Sequence, residues 1–351
     1  MGKLTYNEED YQNTAITAEK ELLKIPVITL RQSTKHMTVR RGVRGTVLVG
    51  SEDVSGAEMA PYIKNRKSDV DLNLNLRPLT TYFGSVNAEF DPNEAMNTLL
   101  DHQACKAMDG EQVSTPTAKE VLALIAKGVL KNAPFAIWKG VRNPKGTTTM
   151  DLCDGFDTIT GKDVESGELS EEKGNYVELD EVITRDNAYD VISGLVEKLD
   201  DILREQKCYL YCSRQIADWY NRSYKANSKG IVYADKYEQT VVEGSNGNLI
   251  ICPQVGKRNS DYIHISPETN MLIGVDQESD QENVRVKDYN PDTLTFMMRM
   301  FLGCQVRCVD KTQYFVAKLK KADGAAGANL DNLENPEIGG NNPEDNPEEG
   351  N

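Results

Sequence analysis

Residues 114–140 read STPTAKEVLALIAKGVLKNAPFAIWKG, and in this one stretch a helix start signal, a helical period and a stop signal agree. Thr115 can cap, and Pro116 stands at the first helical position, where its missing N–H is no loss. Ala118, Val121, Leu122, Ile125 and Val129 recur at the spacing of one helical face, while Lys119, Glu120, Lys127 and Lys131 fall on the other. The pattern predicts one long spine helix over 116–132, apolar toward the body of the protein and polar toward water or a neighbour. Asn132, Ala133 and Pro134 end it, because the residue before a proline is pushed out of the α region. Phe135, Ala136, Ile137 and Trp138 then read as a buried strand.

Ahead of the spine, residues 1–30 hold one short helical stretch, 15–23, and one apolar run, 25–30. That is too little for a core, so this segment is expected to be an arm lying on something else. His36, Arg40, Arg41 and Arg44 form a basic cluster broken by glycines and read as a solvated turn. A phosphate loop would need Lys and Ser or Thr after its last glycine, whereas Gly50 is followed by Ser51, Glu52 and Asp53. Residues 46–49 and 70–77 alternate with period two, Val70, Leu72, Leu74 and Leu76 on one side, and the charged segment 51–69 lies between. A long two-stranded excursion with a polar tip follows, and an isolated hairpin is marginal in water, so it needs a partner. Asp91, Pro92 and Asn93 open a helix expected to reach about Met108.

Behind the spine, 143–146 is a turn, 151–159 a short apolar segment and 162–180 an acidic loop. Asp186 is placed to cap a helix that carries Ala188, Val191, Ile192, Leu195, Leu199, Ile202 and Leu203 on one face. Residues 208–212 read as a strand, and Ser213 caps a further helix through Trp219 and Tyr220. Strands at 249–252, 262–265, 271–275 and 284–286, a long one over 294–308 and a last one at 314–317 complete a mixed sheet carrying helices. The spine and the late strands are more than a hundred residues apart, the pattern of one domain inserted into another.

The chain is acidic, with a formal net charge of -15 over 351 residues, which argues against a protein whose task is to grip nucleic acid. About half of that excess lies in 322–351, where Asp323, Asp331, Glu334, Glu337, Glu344, Asp345, Glu348 and Glu349 meet no basic residue. This segment, with almost no large apolar side chain, is expected to be a disordered acidic tail. Seven cysteines, an odd number without a dense framework, fit reduced thiols in a cytoplasmic compartment. No apolar run is long enough to cross a membrane, and the N-terminus has neither the basic nor the apolar region of a cleaved signal.

Chemistry is hard to find. His36, His102 and His264 sit in no ligand spacing and read as ordinary surface or half-buried residues. Cys208 with Cys212, and Cys304 with Cys308, could share a strand face, but in apolar strands they read as buried thiols and not as a zinc site. GxSxG, GxxxxGK[ST] and GxGxxG are all missing, and the carboxylates cluster in polar loops. The sequon Asn221, Arg222, Ser223 is idle without secretion. No catalytic, cofactor-binding or metal-binding residue is assigned, no cofactor is expected, and the chain reads as a non-enzyme. An arm, a hairpin in need of support and no site make sense when copies of the same chain supply the missing contacts.

The order of arm, excursion, spine, inserted α/β unit and long late strand resembles the major capsid protein of tailed bacteriophages, the Hong Kong 97-type α+β fold. The wording is similar to capsid proteins of Bacteroidetes phages and prophages in AKGVLKNAPFAIWKG (126–140), LCDGFDTI (152–159), CYLYCSRQI (208–216), SPETNMLIGVD (266–276), VRVKDYNPDTLTFMMRMFLGCQVRC (284–308) and QYFVAKL (313–319). The resemblance implies an N-terminal arm over 1–44, an extended loop over 45–90 and a peripheral domain over 91–149. An axial domain over 150–272, a return to the peripheral domain with the last strand over 273–320, and the acidic tail over 321–351 follow. It also implies pentamers and hexamers in an icosahedral shell around double-stranded DNA, located in the virion after assembly in the bacterial cytoplasm. Partners would be a separate scaffold, a portal and decoration proteins. The family's Lys to Asn cross-link finds Lys64 and Lys67 near the loop tip but no matching acceptor with a catalytic glutamate. Encapsulin-type compartments and other phage structural proteins are the alternatives.

Overall fold

The structure is a computed structural model that describes residues 8–17, 34–55, 61–62, 64, 71–91, 94, 118–129, 131–227, 240–276, 284–290 and 293–321. Its centre is β11 (Thr293–Val306), a strand of 14 residues that touches three others. One edge pairs antiparallel with β4 (Tyr82–Phe90). The other edge pairs first with β10 (Val284–Asn290) and further along with β9 (Met271–Asp276). β1 (Thr38–Arg41) adds in parallel to β9 and completes the first sheet.

The two ends of β11 serve different cores. Leu294, Phe296 and Met298 pack with Tyr11 and Ala15 of α1 (Glu8–Thr17) and with Val121, Leu122 and Ala126 of α2 (Ala118–Val129). Leu302, Cys304 and Val306 join Ile137, Trp138 and Phe156 in the central core, with α3 (Ala133–Lys139) and α4 (Phe156–Glu165) laid against it. The alternation of buried and half-exposed positions along the first half of the strand is the period-two pattern of its sequence.

The second sheet runs β5 (Tyr176–Glu178), β12 (Phe315–Lys318), β8 (Tyr262–Ser266), β6 (Cys208–Cys212), β7 (Leu249–Pro253). It is mixed, as expected: β12 with β5 and β6 with β7 are parallel, the inner pairs antiparallel. α5 (Ala188–Glu197), α6 (Asp201–Glu205) and α7 (Arg214–Asn227) cover one side through Ile192, Leu195, Leu203, Ala217 and Tyr220. Ser213 caps α7 by accepting the Ile216 N–H at 3.3 Å, as read from the sequence.

Four expectations need correction. Residues 135–138 are not a strand but part of α3, since Pro134 sits in the first turn of a new helix, where no donor is needed. Phe135, Ala136, Ile137 and Trp138 form a consecutive apolar run, which in so short a segment reads equally as a buried strand. The helix expected across 188–203 is two helices, because Asp200 accepts the Ile202 N–H at 3.0 Å and caps a fresh start. The first of these is preceded by Asn187, not by Asp186. Residues 38–41 of the basic cluster form β1 instead of a solvated turn, Val39 packing on the central core beside the buried β9. In the arm the described residues 8–17 form a helix whose end overlaps the expected 15–23, the rest of which lies outside the described residues, and its buried Tyr11 and Ala15 are spaced four apart. The run 25–30, the helix expected from Asn93 to Met108, His102, Lys67 and the tail beyond Lys321 lie outside the described residues.

Candidate assembly surface

β2 (Thr46–Ser55) and β3 (Asp71–Thr80) form an antiparallel hairpin of ten pairs, the excursion expected from the sequence and longer on its first strand. Paired residues share a face, so Val47 with Leu79 and Val49 with Arg77 define one side, Leu48 with Pro78 and Gly50 with Leu76 the other. On the first side Val49 and Leu79 are buried with Leu272 of β9. The root of β3 lies directly on the backbone of the first sheet: a Cβ on Gly303 would come within 2.2 Å of the Thr80 carbonyl oxygen, and one on Gly274 within 2.7 Å of Thr81 Cγ2. Only glycine allows that approach. On the second side Leu48 is 59% and Leu76 51% exposed.

A second exposed apolar feature lies on the first sheet. Phe83 of β4 and Phe301 of β11 are paired with ring centroids 4.9 Å apart, and Phe83 is half exposed. The Arg44 guanidinium stands 5.9 Å from the Phe301 centroid and is ion-paired with Asp276. Leu124 on α2 is also half exposed. Lone exposed apolar residues are normal on a protein surface, but two aligned leucines on a projecting two-stranded ribbon form a face that only another surface can dry.

A polar constellation in the interior, around Lys257 and His264, is a chain of side chains. Lys257, fully buried, donates from Nζ to Asp157 Oδ1 at 3.0 Å, to the Tyr262 carbonyl at 2.7 Å and to His264 Nδ1 at 2.6 Å. Nδ1 therefore accepts, the ring proton is on Nε2, and Nε2 meets Thr160 Oγ1 at 2.9 Å; Thr160 in turn meets the Tyr314 hydroxyl at 3.1 Å. Trp138 covers the ammonium at 4.3 Å from its ring centroid. Desolvation, reinforced by the Lys257 charge, holds His264 well below the ordinary imidazole range. Thr160 beside His264 has the outline of a nucleophile and its base, yet both are sealed from solvent, so the group braces the fold and has no face for a substrate. His264 is thus fully buried, not the surface or half-buried residue expected. His36 stacks on Tyr209 at 4.1 Å and accepts the Tyr211 hydroxyl proton at its carbonyl.

Cys208, Cys212, Cys304 and Cys308 are all buried and free. Burial pushes the Cys208 and Cys212 thiols up to about 12, which keeps them protonated and inert. Among the described residues no group of three or more His, Cys, Asp and Glu could hold a metal ion, and no helix is long and apolar enough to cross a membrane. Lys64 is exposed.

Known structures share this architecture. The chain aligns with the satellite phage P4 procapsid including size determination (Sid) protein over 86% of its own length and 92% of that chain, with a TM-score of 0.56 and 12% identity. The fold is the Hong Kong 97-like capsid fold. A cyanophage A-1(L) capsid chain aligns over 84% of this chain and 92% of its own at a TM-score of 0.49 and 11% identity. The capsid of an empty GTA particle aligns over 83% and 89% at 0.48 and 14%. No family model and no curated protein matches the sequence.

Proposed function

We propose that this chain is the major capsid protein of a tailed phage, assembling into pentamers and hexamers of an icosahedral shell that encloses double-stranded DNA. The observation that carries the reading is the hairpin face of Leu48 and Leu76, left exposed on a ribbon whose other face is seated on the body. A heterologous contact, hairpin on neighbour, repeats around a closed ring, and many modest contacts add up across a shell. On this reading 1–44 is the arm, 45–90 the extended loop, 91–149 with 273–320 the peripheral domain, 150–272 the axial domain and 321–351 an appended acidic tail. The last strand, β12, pairs with β5 and β8, so on this reading it would run with the sheet of the axial domain and not with the peripheral one. The chain would act as structural protein in the virion after assembly in the host cytoplasm, with separate scaffold, portal and decoration proteins. Kinship with Bacteroidetes phages rests on the sequence segments alone.

The test is expression of the chain with and without Leu48→Asp and Leu76→Asp, read by negative-stain microscopy and sedimentation velocity. Wild type is expected to form closed shells, and the double variant to stay folded but unassembled, its melting temperature within about 2 °C of wild type. Wild type remaining a lone 39.1 kDa particle at high concentration with candidate scaffolds present, or the variant assembling at full yield, overturns the reading. Shells that protect enzyme cargo and no DNA from nuclease point instead to an encapsulin-type compartment.

A further inference from the structure

Part-way along its length, between the pairs Leu48–Pro78 and Ser51–Asn75, the hairpin is gripped by polar bonds from two parts of the body, α4 and the end of β11 with the residues that follow it. Arg77 of β3 donates from Nη2 to both carboxylate oxygens of Asp163 on α4, at 2.9 and 2.7 Å, and at 3.4 Å to Gln305 Oε1 of β11. Gln305 uses its other end to donate to the Pro78 carbonyl at 2.9 Å. Arg307 donates from Nε to the Gly50 carbonyl at 2.8 Å, and Ser51 Oγ meets Cys308 Sγ at 3.1 Å. Both strands of the ribbon are therefore held: β3 through Arg77 and Pro78, β2 through Gly50 and Ser51. The apolar part of the same joint is small, Val49, Leu79 and Leu272.

Apolar contact is non-directional and tolerates rotation, whereas hydrogen bonds to a carboxylate and to backbone carbonyls fix an angle. We propose that Arg77, Asp163 and Gln305 form a clasp that sets the direction in which the hairpin projects, acting as positioning residues for the Leu48 and Leu76 face. The proposal rests on the assembly reading for its purpose but not for its geometry.

Two observations separate positioning from simple stabilisation. The side chains of Arg77 and Asp163 are only 16% and 12% exposed, and burial pushes the Asp163 carboxyl up from its ordinary value by more than the Arg77 charge and hydrogen bond pull it down. Taking both charges out of water offsets much of what their attraction contributes, while their hydrogen bonds still fix an angle. Arg77 Nε is also buried with no partner among the described residues, a second cost accepted at the same joint. Arg77 is next to Leu76 in β3, Pro78 pairs with Leu48 and Gly50 pairs with Leu76, so the clasp acts at the same level of the ribbon as the leucine face and orients it directly.

The experiment is hydrogen exchange on the unassembled full chain, comparing wild type, Arg77→Met, Asp163→Asn and the exchanged pair Arg77→Asp with Asp163→Arg. Each single variant is expected to raise exchange in 46–55 and 71–80 at least about tenfold while leaving 208–212 and 262–266 unchanged, and the exchanged pair to restore most of the protection. Unchanged hairpin exchange in both single variants shows that the apolar contact suffices, and equal rises in hairpin and body show a general stabiliser. Either result overturns the proposal, as does failure of the exchanged pair to restore protection. Should Arg77→Met not fold, Gln305→Met removes contacts to both Arg77 and Pro78 and is read in the same way; if neither folds, the clasp is a core brace and the proposal fails. Because exchange is read without assembly, it fails separately from the shell hypothesis. Under assembling conditions the same single variants are expected to shift products from uniform shells to particles of mixed curvature.

Discussion

The hairpin and the second sheet are built on opposite terms. Every residue of β6 is buried, and β8 beside it and β12 beyond β8 are nearly so, with helices on one side and the central core on the other. The hairpin has three buried apolar partners at its root and two exposed leucines on its outer face. One region completes its contacts within the chain, and the other offers contacts outward. Stability should therefore be lost mainly by damage to the first, and assembly mainly by damage to the second.

The sharpest break of that contrast is at the buried polar chain. Removing Lys257 leaves the Asp157 carboxylate, His264 Nδ1 and the Tyr262 carbonyl without their shared donor in a sealed site. Lys257→Ala is expected to cost about 3–5 kcal/mol in equilibrium denaturation, whereas Lys257→Met, which fills the space, should cost less than the alanine variant. An alanine variant as stable as wild type would show that the interior is not where this chain keeps its stability.

Next in size is the acid limb. Desolvation and the adjacent Lys257 charge hold His264 well below the ordinary imidazole range, so as pH falls the unfolded chain takes up a proton that the folded one refuses. Stability tied to His264 is complete above about pH 6.5 and falls below it, with a slope approaching about 1.4 kcal/mol per pH unit until the folded value is reached. His36 is also lowered, first by burial and then by Lys35, and contributes with the same sign. The discriminating measurement is the difference in melting temperature between pH 7.5 and pH 5.5, taken on wild type and on His264→Asn; the variant should show the flatter profile.

These two regions were also unequally legible. The hairpin, β6, β8, β9 and β11 announce themselves through period-two alternation or short apolar runs, signals that survive in sequence because each strand has one or two uniform faces. α3 escaped because in a helix of seven residues a consecutive apolar run reads equally as a strand and because Pro134 marks a start as readily as a stop. β1, reading Thr38, Val39, Arg40 and Arg41, escaped because an edge strand made by parallel pairing need not look like one locally. The clasp and the buried chain were invisible for a different reason. Arg77 is 86 residues from Asp163 and 228 from Gln305, and Lys257 is 100 from Asp157, so no spacing rule can join them. Only the first set could have been found by looking harder.

A smaller effect belongs to the cap of α7. Ser213 accepts the Ile216 N–H, and its loss leaves one donor of the first turn unpaired, so Ser213→Ala should lower stability by about 1 kcal/mol. Ser213→Asp, which can accept the same bond and adds a negative charge at the positive end of the helix, should be close to neutral or slightly stabilising. Denaturant midpoints at constant slope would separate the two outcomes.

The smallest expected change in stability is the one that tests the comparison most strictly. Leu76→Ser and Leu48→Ser remove apolar surface of which the isolated chain leaves more than half in water, Leu48 being 59% and Leu76 51% exposed. The cavity and transfer terms that make core truncations expensive are then mostly absent, and each variant should lie within about 0.5 kcal/mol of wild type. The same side chains, if dried by a neighbour in a shell, would each contribute on the order of 1 kcal/mol per contact, and a particle repeats the contact at every subunit. The critical concentration for assembly should therefore rise several-fold for each variant while its unfolding curve hardly moves. A large fall in stability of the isolated chain would mean that the hairpin already folds back on its own body, and the division between a self-sufficient sheet and an outward-facing ribbon would be lost.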